Sequence, residues 1–131
     1  MSTGYSKNDS TEIEQFGELL RKYGFTVSAP ETLLGTSGVR HTFDIGATRE
    51  DAKLFLDLTS AQVEVGVDRI AEFYAKMLDA KPQKGILITI PRLSEDAKKL
   101  TGMYDVNVIS AESLDEAVQK LALALMIVLR H

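Results

Sequence analysis

Residues 53–59 read Lys-Leu-Phe-Leu-Asp-Leu-Thr, with a leucine at every second position, a period that suits a strand and no helix. Leu54, Leu56 and Leu58 give that strand a wholly apolar face for a core. Lys53, Phe55, Asp57 and Thr59 fall on the other face, where chemistry can sit. Val67, Ile70, Phe73, Tyr74, Met77 and Leu78 then recur at i, i+3, i+6, i+7, i+10 and i+11, the stripe of a helix packed on a sheet. Gly85-Ile86-Leu87-Ile88-Thr89-Ile90 is a continuous β-branched run stopped by Pro91, as in a strand buried on both faces. A strand, a helix and a second strand in that order make a crossover unit whose strands lie parallel.

Shorter elements flank this unit. Ser10 or Thr11 opens a first helix, with Thr11 and Glu14 at capping-box spacing and Ile13, Phe16, Leu20 and Tyr23 as its apolar stripe. Gly24 is placed to end it in a left-handed conformation. A short strand over 25–28 is stopped by Pro30, and a loop follows through Leu34-Gly35-Thr36-Ser37-Gly38. A second strand is expected over 39–47, with Thr42 and Asp44 on one face and His41, Phe43 and Ile45 on the other. After Pro91, Ser94 caps a helix to about Met103, Val106, Val108 and Ile109 form a last strand, and Ser110 or Ser113 starts the final helix. The order α-β-β-β-α-β-α-β-α gives an antiparallel meander followed by helix-connected parallel strands. That is an α/β, three-layer α/β/α arrangement with a mixed central sheet and helices on both faces. The expected organisation is a flexible tail over 1–9 and a single domain over 10–131.

Composition removes several classes of function. The 131 residues contain no Cys, which excludes a disulfide scaffold, a thiolate zinc site and a thiol nucleophile, and fits a cytoplasmic location. With two His, His41 and His131, no multi-histidine metal centre can form, so a metal here would be a hard cation such as Mg²⁺, Mn²⁺ or Ca²⁺ on carboxylate oxygens. A net charge of −4 gives no global attraction to nucleic acid. The apolar run over 121–129 is about half of the ~18 residues a spanning helix needs, so no membrane is expected.

Read in order, Ile13-Glu14, Leu19-Leu20, Tyr23-Gly24-Phe25, the stretch Ser37-Gly38-Val39-Arg40-His41-Thr42-Phe43-Asp44-Ile45 and then Leu54-Phe55-Leu56-Asp57-Leu58-Thr59 resemble the PD-(D/E)XK, or restriction-endonuclease-like, superfamily. The nearest likeness is to its Mrr-type and archaeal Holliday-junction-resolvase-type branches, over roughly residues 12 to 110. The resemblance implies carboxylates that hold Mg²⁺ at a scissile phosphate, where it polarises the phosphoryl group and lowers the pKa of the attacking water. It also implies a lysine that orients that water. Asp44 matches the first metal-binding Asp, Asp57 the acid of the second motif and Glu14 the helix carboxylate. Strand parity supports the pair, because the register that buries both apolar faces brings Asp44 and Asp57 to one side.

The departure is Thr59, which stands where the family has its lysine. Lys53 shares the face of Asp57 but lies four strand residues away, about 13 Å. Lys76, on the helix after the strand, is the candidate for a migrated lysine. Arg40 and His41 are the candidates for flanking a substrate phosphate, joined by Arg49, Arg69 and Lys76. Each site residue also has a plain structural reading: Glu14 in a capping box, Asp44 bonded to loop N–H groups of Ser37-Gly38, and His41 at the rim of the core. The loop over 35–38 lacks the Gly-Lys-Ser/Thr ending of a phosphate-binding loop.

The last helix is apolar all round from Leu121 to Leu129, so more than one of its sides needs cover. The simplest cover is a homodimer through the helix at 113–130, with docking on a larger partner as the alternative. The expected function is therefore a pseudo-nuclease that dimerises and serves as a binding or scaffold module in a nucleic-acid or regulatory assembly. The rivals are a working magnesium-dependent DNA endonuclease that uses Lys76 or Arg40, and a plain protein-interaction α/β domain.

Overall fold

The computed structural model describes residues 5–6 and 10–128. A strand β1 (Tyr5–Ser6) precedes helix α1 (Ser10–Lys22). Of the segment expected as a tail, Tyr5 and Ser6 pair antiparallel with Ala61 and Ser60, and the other residues of 1–9 lie outside the described residues. Gly24 ends α1 as expected, at a φ of +89°. Its N–H donates to the Arg21 carbonyl and the Phe25 N–H to the Leu20 carbonyl, which satisfies the free carbonyls at the helix end.

Four strands follow: β2 (Thr26–Ser28), β3 (Glu31–Leu34), β4 (Arg40–Phe43) and β5 (Ile45–Arg49). Two expectations are corrected here. Residues 31–34 are a strand, forming with β4 a two-stranded hairpin that stands apart from the main sheet. The single strand expected over 39–47 is broken at Asp44, because β4 pairs with β3 whereas β5 pairs with β2 and then with β6 (Ala52–Ala61). The break reverses the side on which residues fall. Phe43 and Ile45, expected on one face, lie in different cores on opposite sides of the sheet.

After β6 come α2 (Val67–Ala80), β7 (Lys84–Ile90), α3 (Glu95–Tyr104), β8 (Val108–Ser110) and α4 (Leu114–Val128). Ser94 caps α3 through a bond from the Ala97 N–H at 3.1 Å, and of the two serines considered for α4 it is Ser113 that accepts from Glu116 N–H, at 3.2 Å. The main sheet runs β2-β5-β6-β7-β8, antiparallel up to β6 and parallel from β6 to β8, a mixed α/β sheet with helices on both faces. The leucines of β6 meet Phe16 and Leu20 of α1 and Leu121 and Leu125 of α4. Its opposite face, with Phe55, lies under Ile70 and Phe73 of α2. A strand covered on both sides fixes its register firmly, since a slip by one residue would drive Asp57 into the leucine core. No described helix is long and apolar enough to cross a membrane.

Candidate active site

Asp57 lies in the middle of β6 on the face covered by α2 and is only 3% exposed. Asp44 occupies the bend between β4 and β5, next to Ile45, which is paired with Leu56. The two acids are tied to each other's backbone: the Asp44 N–H donates to Asp57 Oδ1 at 3.0 Å, and the Leu58 N–H donates to Asp44 Oδ2 at 2.7 Å. The strand break explains this. A residue leaving one sheet for another has no ladder partner for its N–H, and the neighbouring carboxylate supplies one. The loop N–H groups of Ser37 and Gly38, considered above as partners for Asp44, are not the ones it uses.

Two cations descend from α2 onto these acids. Lys76 Nζ lies 2.6 Å from Asp57 Oδ2, donates to the Thr42 carbonyl and sits 4.2 Å from the centre of the Phe43 ring. Arg69, seven residues earlier on the same helix face, donates from Nε to Thr59 Oγ1 and places Nη2 3.8 Å from Asp57 Oδ2. Its Nη1 reaches Glu72 at 3.1 Å. A guanidinium thus stands over Thr59.

Both oxygens of Asp57 are therefore engaged by groups of the chain itself. A Mg²⁺ ion approaches carboxylate oxygen to about 2.0–2.1 Å and requires about six oxygen ligands. An ammonium already in contact with the same oxygen competes for it and offsets its charge. Among the described residues no group of three or more His, Asp or Glu converges as a metal site. As arranged, these residues do not fit a resident divalent cation.

The other candidate residues lie elsewhere. Glu14 is exposed and 3.4 Å from Arg21 Nη1, whereas Glu12 turns to the sheet and accepts from the Ser60 hydroxyl at 3.2 Å. Arg40 is exposed at the outer end of β4, and Arg49 lies beside Gly24 at the end of β5 away from Asp44. His41 binds Asp79 instead of facing an open site, with Nε2 2.6 Å from Oδ2. That same carboxylate accepts from Thr36 Oγ1, Ser37 N and Ser37 Oγ at 2.9, 2.8 and 2.7 Å, which clasps the hairpin tip to the end of α2. These bonds hold Asp79 far below the usual carboxylate range, the Ser37 hydroxyl contributing most and His41 next. The turn needs glycine at position 35, since a Cβ there would lie 2.0 Å from Asp79 Oδ2.

The family model for restriction endonucleases, Mrr_cat, matches residues 6–118. The chain belongs to this family. No curated protein matches it. The crystal structure of AF1548, a protein of unknown function, aligns with a TM-score of 0.62 at 21% identity, covering 74% of this chain and 56% of that one. The DNA modification-dependent restriction endonuclease AspBHI aligns at 0.45 and 13% identity, over 90% of this chain and 36% of that one. The chain thus spans about half and about a third of the lengths of these two structures. The fold of this Mrr_cat member is the restriction-endonuclease-like nuclease fold.

Within this Mrr_cat fold helical phase carried the signal both for Arg69 and Lys76, named above, and for Glu12, which was not. Arg69 and Lys76 lie at i−4 and i+3 from the buried Phe73, and Glu12 at i−4 from the buried Phe16, positions that share the inward face of their helices. Glu14, at i−2 from Phe16, does not.

The electrostatics of the acid pair give a test. Burial pushes the Asp44 carboxyl up, reinforced by the nearby Asp57 charge and opposed by the Leu58 N–H bond, Lys76 and Arg69. An acid whose folded pKa is raised binds its proton more tightly in the native state, so its ionisation costs stability as pH rises through that folded value. Asp44→Asn keeps an acceptor for Leu58 N–H and removes the charge. We expect a higher urea midpoint for the variant at pH 7, with the gain shrinking as pH falls to about 4, near the ordinary carboxylate value. A midpoint at pH 7 below that of the wild type contradicts this.

Proposed function

We propose that this Mrr_cat chain is a non-hydrolytic member of its family, a pseudo-nuclease that serves as a dimerising binding or scaffold module. One observation carries this reading: the Lys76 ammonium, 2.6 Å from Asp57 Oδ2, neutralises the carboxylate that a nuclease would give to its metal. Thr59, bonded to Arg69, supplies no cation of its own to orient a water. Asp44, Asp57, Thr59 and Lys76 then form a structural cluster, and the net charge of −4 favours a partner protein or a local DNA contact over general DNA affinity.

Support for self-association comes from α4. Leu121 and Leu125 are buried, whereas Leu123, Met126 and Ile127 are 61, 52 and 63% exposed, at i, i+3 and i+4 on one side of the helix. Such a patch is what an interface covers. Light scattering is expected to give the mass of a dimer, and Ile127→Glu that of a monomer with an unchanged circular dichroism spectrum. A wild-type monomer removes the dimer from the proposal.

The second reading, an active Mg²⁺-dependent endonuclease, is favoured by the reach of Lys76 to the acids, which a migrated catalytic lysine would need. Cleavage of supercoiled plasmid and branched DNA with Mg²⁺ or Mn²⁺, alongside Asp57→Ala, separates the two. The proposal expects no product from either protein. Cutting by wild type and not by the variant establishes the nuclease.

A further inference from the structure

We propose that the cavity beneath the end of α4 binds a medium-chain carboxylate, an apolar chain with a single anionic head that Lys84 holds. The cavity lies on the face of the sheet opposite Asp57, and the inference stands apart from the non-hydrolytic reading.

The cavity has a volume of about 280 Å³, walled by Leu54 of β6, Ile86 of β7 and Leu125 and Ile127 of α4. Its polar lining residues are Lys84 and Asn107, with no acid among them. Lys84 pairs in register with Leu54 and stands two residues before Ile86, so its side chain shares the face of the leucine core. It is half-buried and, among the described residues, has no ion pair. An ammonium in that position loses hydration that no counter-charge replaces. A carboxylate supplies the missing charge through a charge-assisted hydrogen bond, while its chain covers the leucine and isoleucine walls. The volume sets the size of the chain. It is nearly twice the ~150 Å³ of a cavity that takes benzene, which leaves room for about eight to ten carbons. That admits one chain and not the paired chains of a membrane phospholipid, so the ligand is a free acid. Ile127 also belongs to the exposed apolar side of α4, which makes the cavity continuous with that surface.

The test is calorimetric titration of the full chain with decanoate, kept below the concentration at which it forms micelles, and with decanol as its uncharged counterpart. Wild type is expected to take up one decanoate per chain. Lys84→Met, which keeps the stem and loses the charge, is expected to bind decanoate at least about tenfold more weakly, the size of a lost hydrogen bond to a charged group, and to bind decanol as the wild type does. Lys84→Arg should retain decanoate. Ala124→Leu, which fills the cavity from α4, should lose both ligands with an unchanged circular dichroism spectrum. Absence of saturable decanoate uptake by the wild type overturns the inference, whether the cavity is closed or a second copy fills it. Equal affinity of wild type and Lys84→Met for decanoate, uptake that survives Ala124→Leu, or sedimentation with phosphatidylglycerol vesicles in place of decanoate binding overturns it as well.

Discussion

Asp57→Ala is expected to lower the unfolding free energy by about 3–5 kcal/mol, the usual consequence of removing one partner of a buried ion pair and leaving the other uncompensated. Asp57 is 3% exposed and faces Lys76 Nζ at 2.6 Å and Arg69 Nη2 at 3.8 Å, so the substitution strands two cations under α2. It also removes the acceptor of the Asp44 N–H. The sign is what informs. In a metal-dependent nuclease studied without its metal, the acids repel one another and trimming one relieves the repulsion, so alanine is neutral or stabilising. Urea denaturation in EDTA at pH 7 reads the difference directly. A midpoint at or above that of the wild type means that the acids are not satisfied by Lys76 and Arg69.

Phe43→Ala is expected to cost a similar amount, about 3–5 kcal/mol, as a large core side chain replaced by a cavity. Phe43 is fully buried, its ring centre is 5.1 Å from that of Phe55, and its face supports Lys76 Nζ at 4.2 Å. The ring therefore has two tasks, filling the core beneath α2 and holding the ammonium. Phe43→Leu separates them, keeping most of the volume and losing the π face. A double-mutant cycle between Phe43→Leu and Lys76→Met is expected to give a coupling of about 1–2 kcal/mol, the size of a cation–π contact at a desolvated site. Simple additivity would mean that the ring only fills space.

The strand, helix and strand around Asp57 were legible because each has a long period of one kind: alternation in β6, a helical stripe in α2 and a β-branched run in β7. The strand break at Asp44 was not. Residues 39–47 alternate without interruption, and what divides them is the choice of partner, β3 for one half and β2 with β6 for the other. Pairing choice is a non-local property that no local period carries. The same holds for β3, whose four residues gain their place from the hairpin with β4. At the candidate site the sequence order pointed to Asp44, Asp57 and the vacancy at Thr59, since motif spacing along two paired strands is short-range. It also pointed to Lys76 as a lysine that could reach the acids. Whether that reach ends in a free amine beside a metal or an ammonium bound to a carboxylate depends on the rotation of α2 over the sheet. That rotation is set by Ile70 and Phe73 packing on Phe55 and Leu87. Motif order points to Glu14, whereas helical phase relative to Phe16 favours Glu12 as the acid facing the sheet. Asp79 gave no sign, because its partners Thr36, Ser37 and His41 lie about forty residues away.

The claim that Lys76 stands where a metal would stand is tested most directly by following the electron paramagnetic resonance signal of free Mn²⁺ as wild-type protein is added. If the ammonium occupies the site, the free Mn²⁺ signal persists undiminished at protein concentrations up to the millimolar range. A saturable loss of signal at one ion per chain, abolished by Asp57→Ala, would show that the acids bind metal in the presence of Lys76 and would contradict the account.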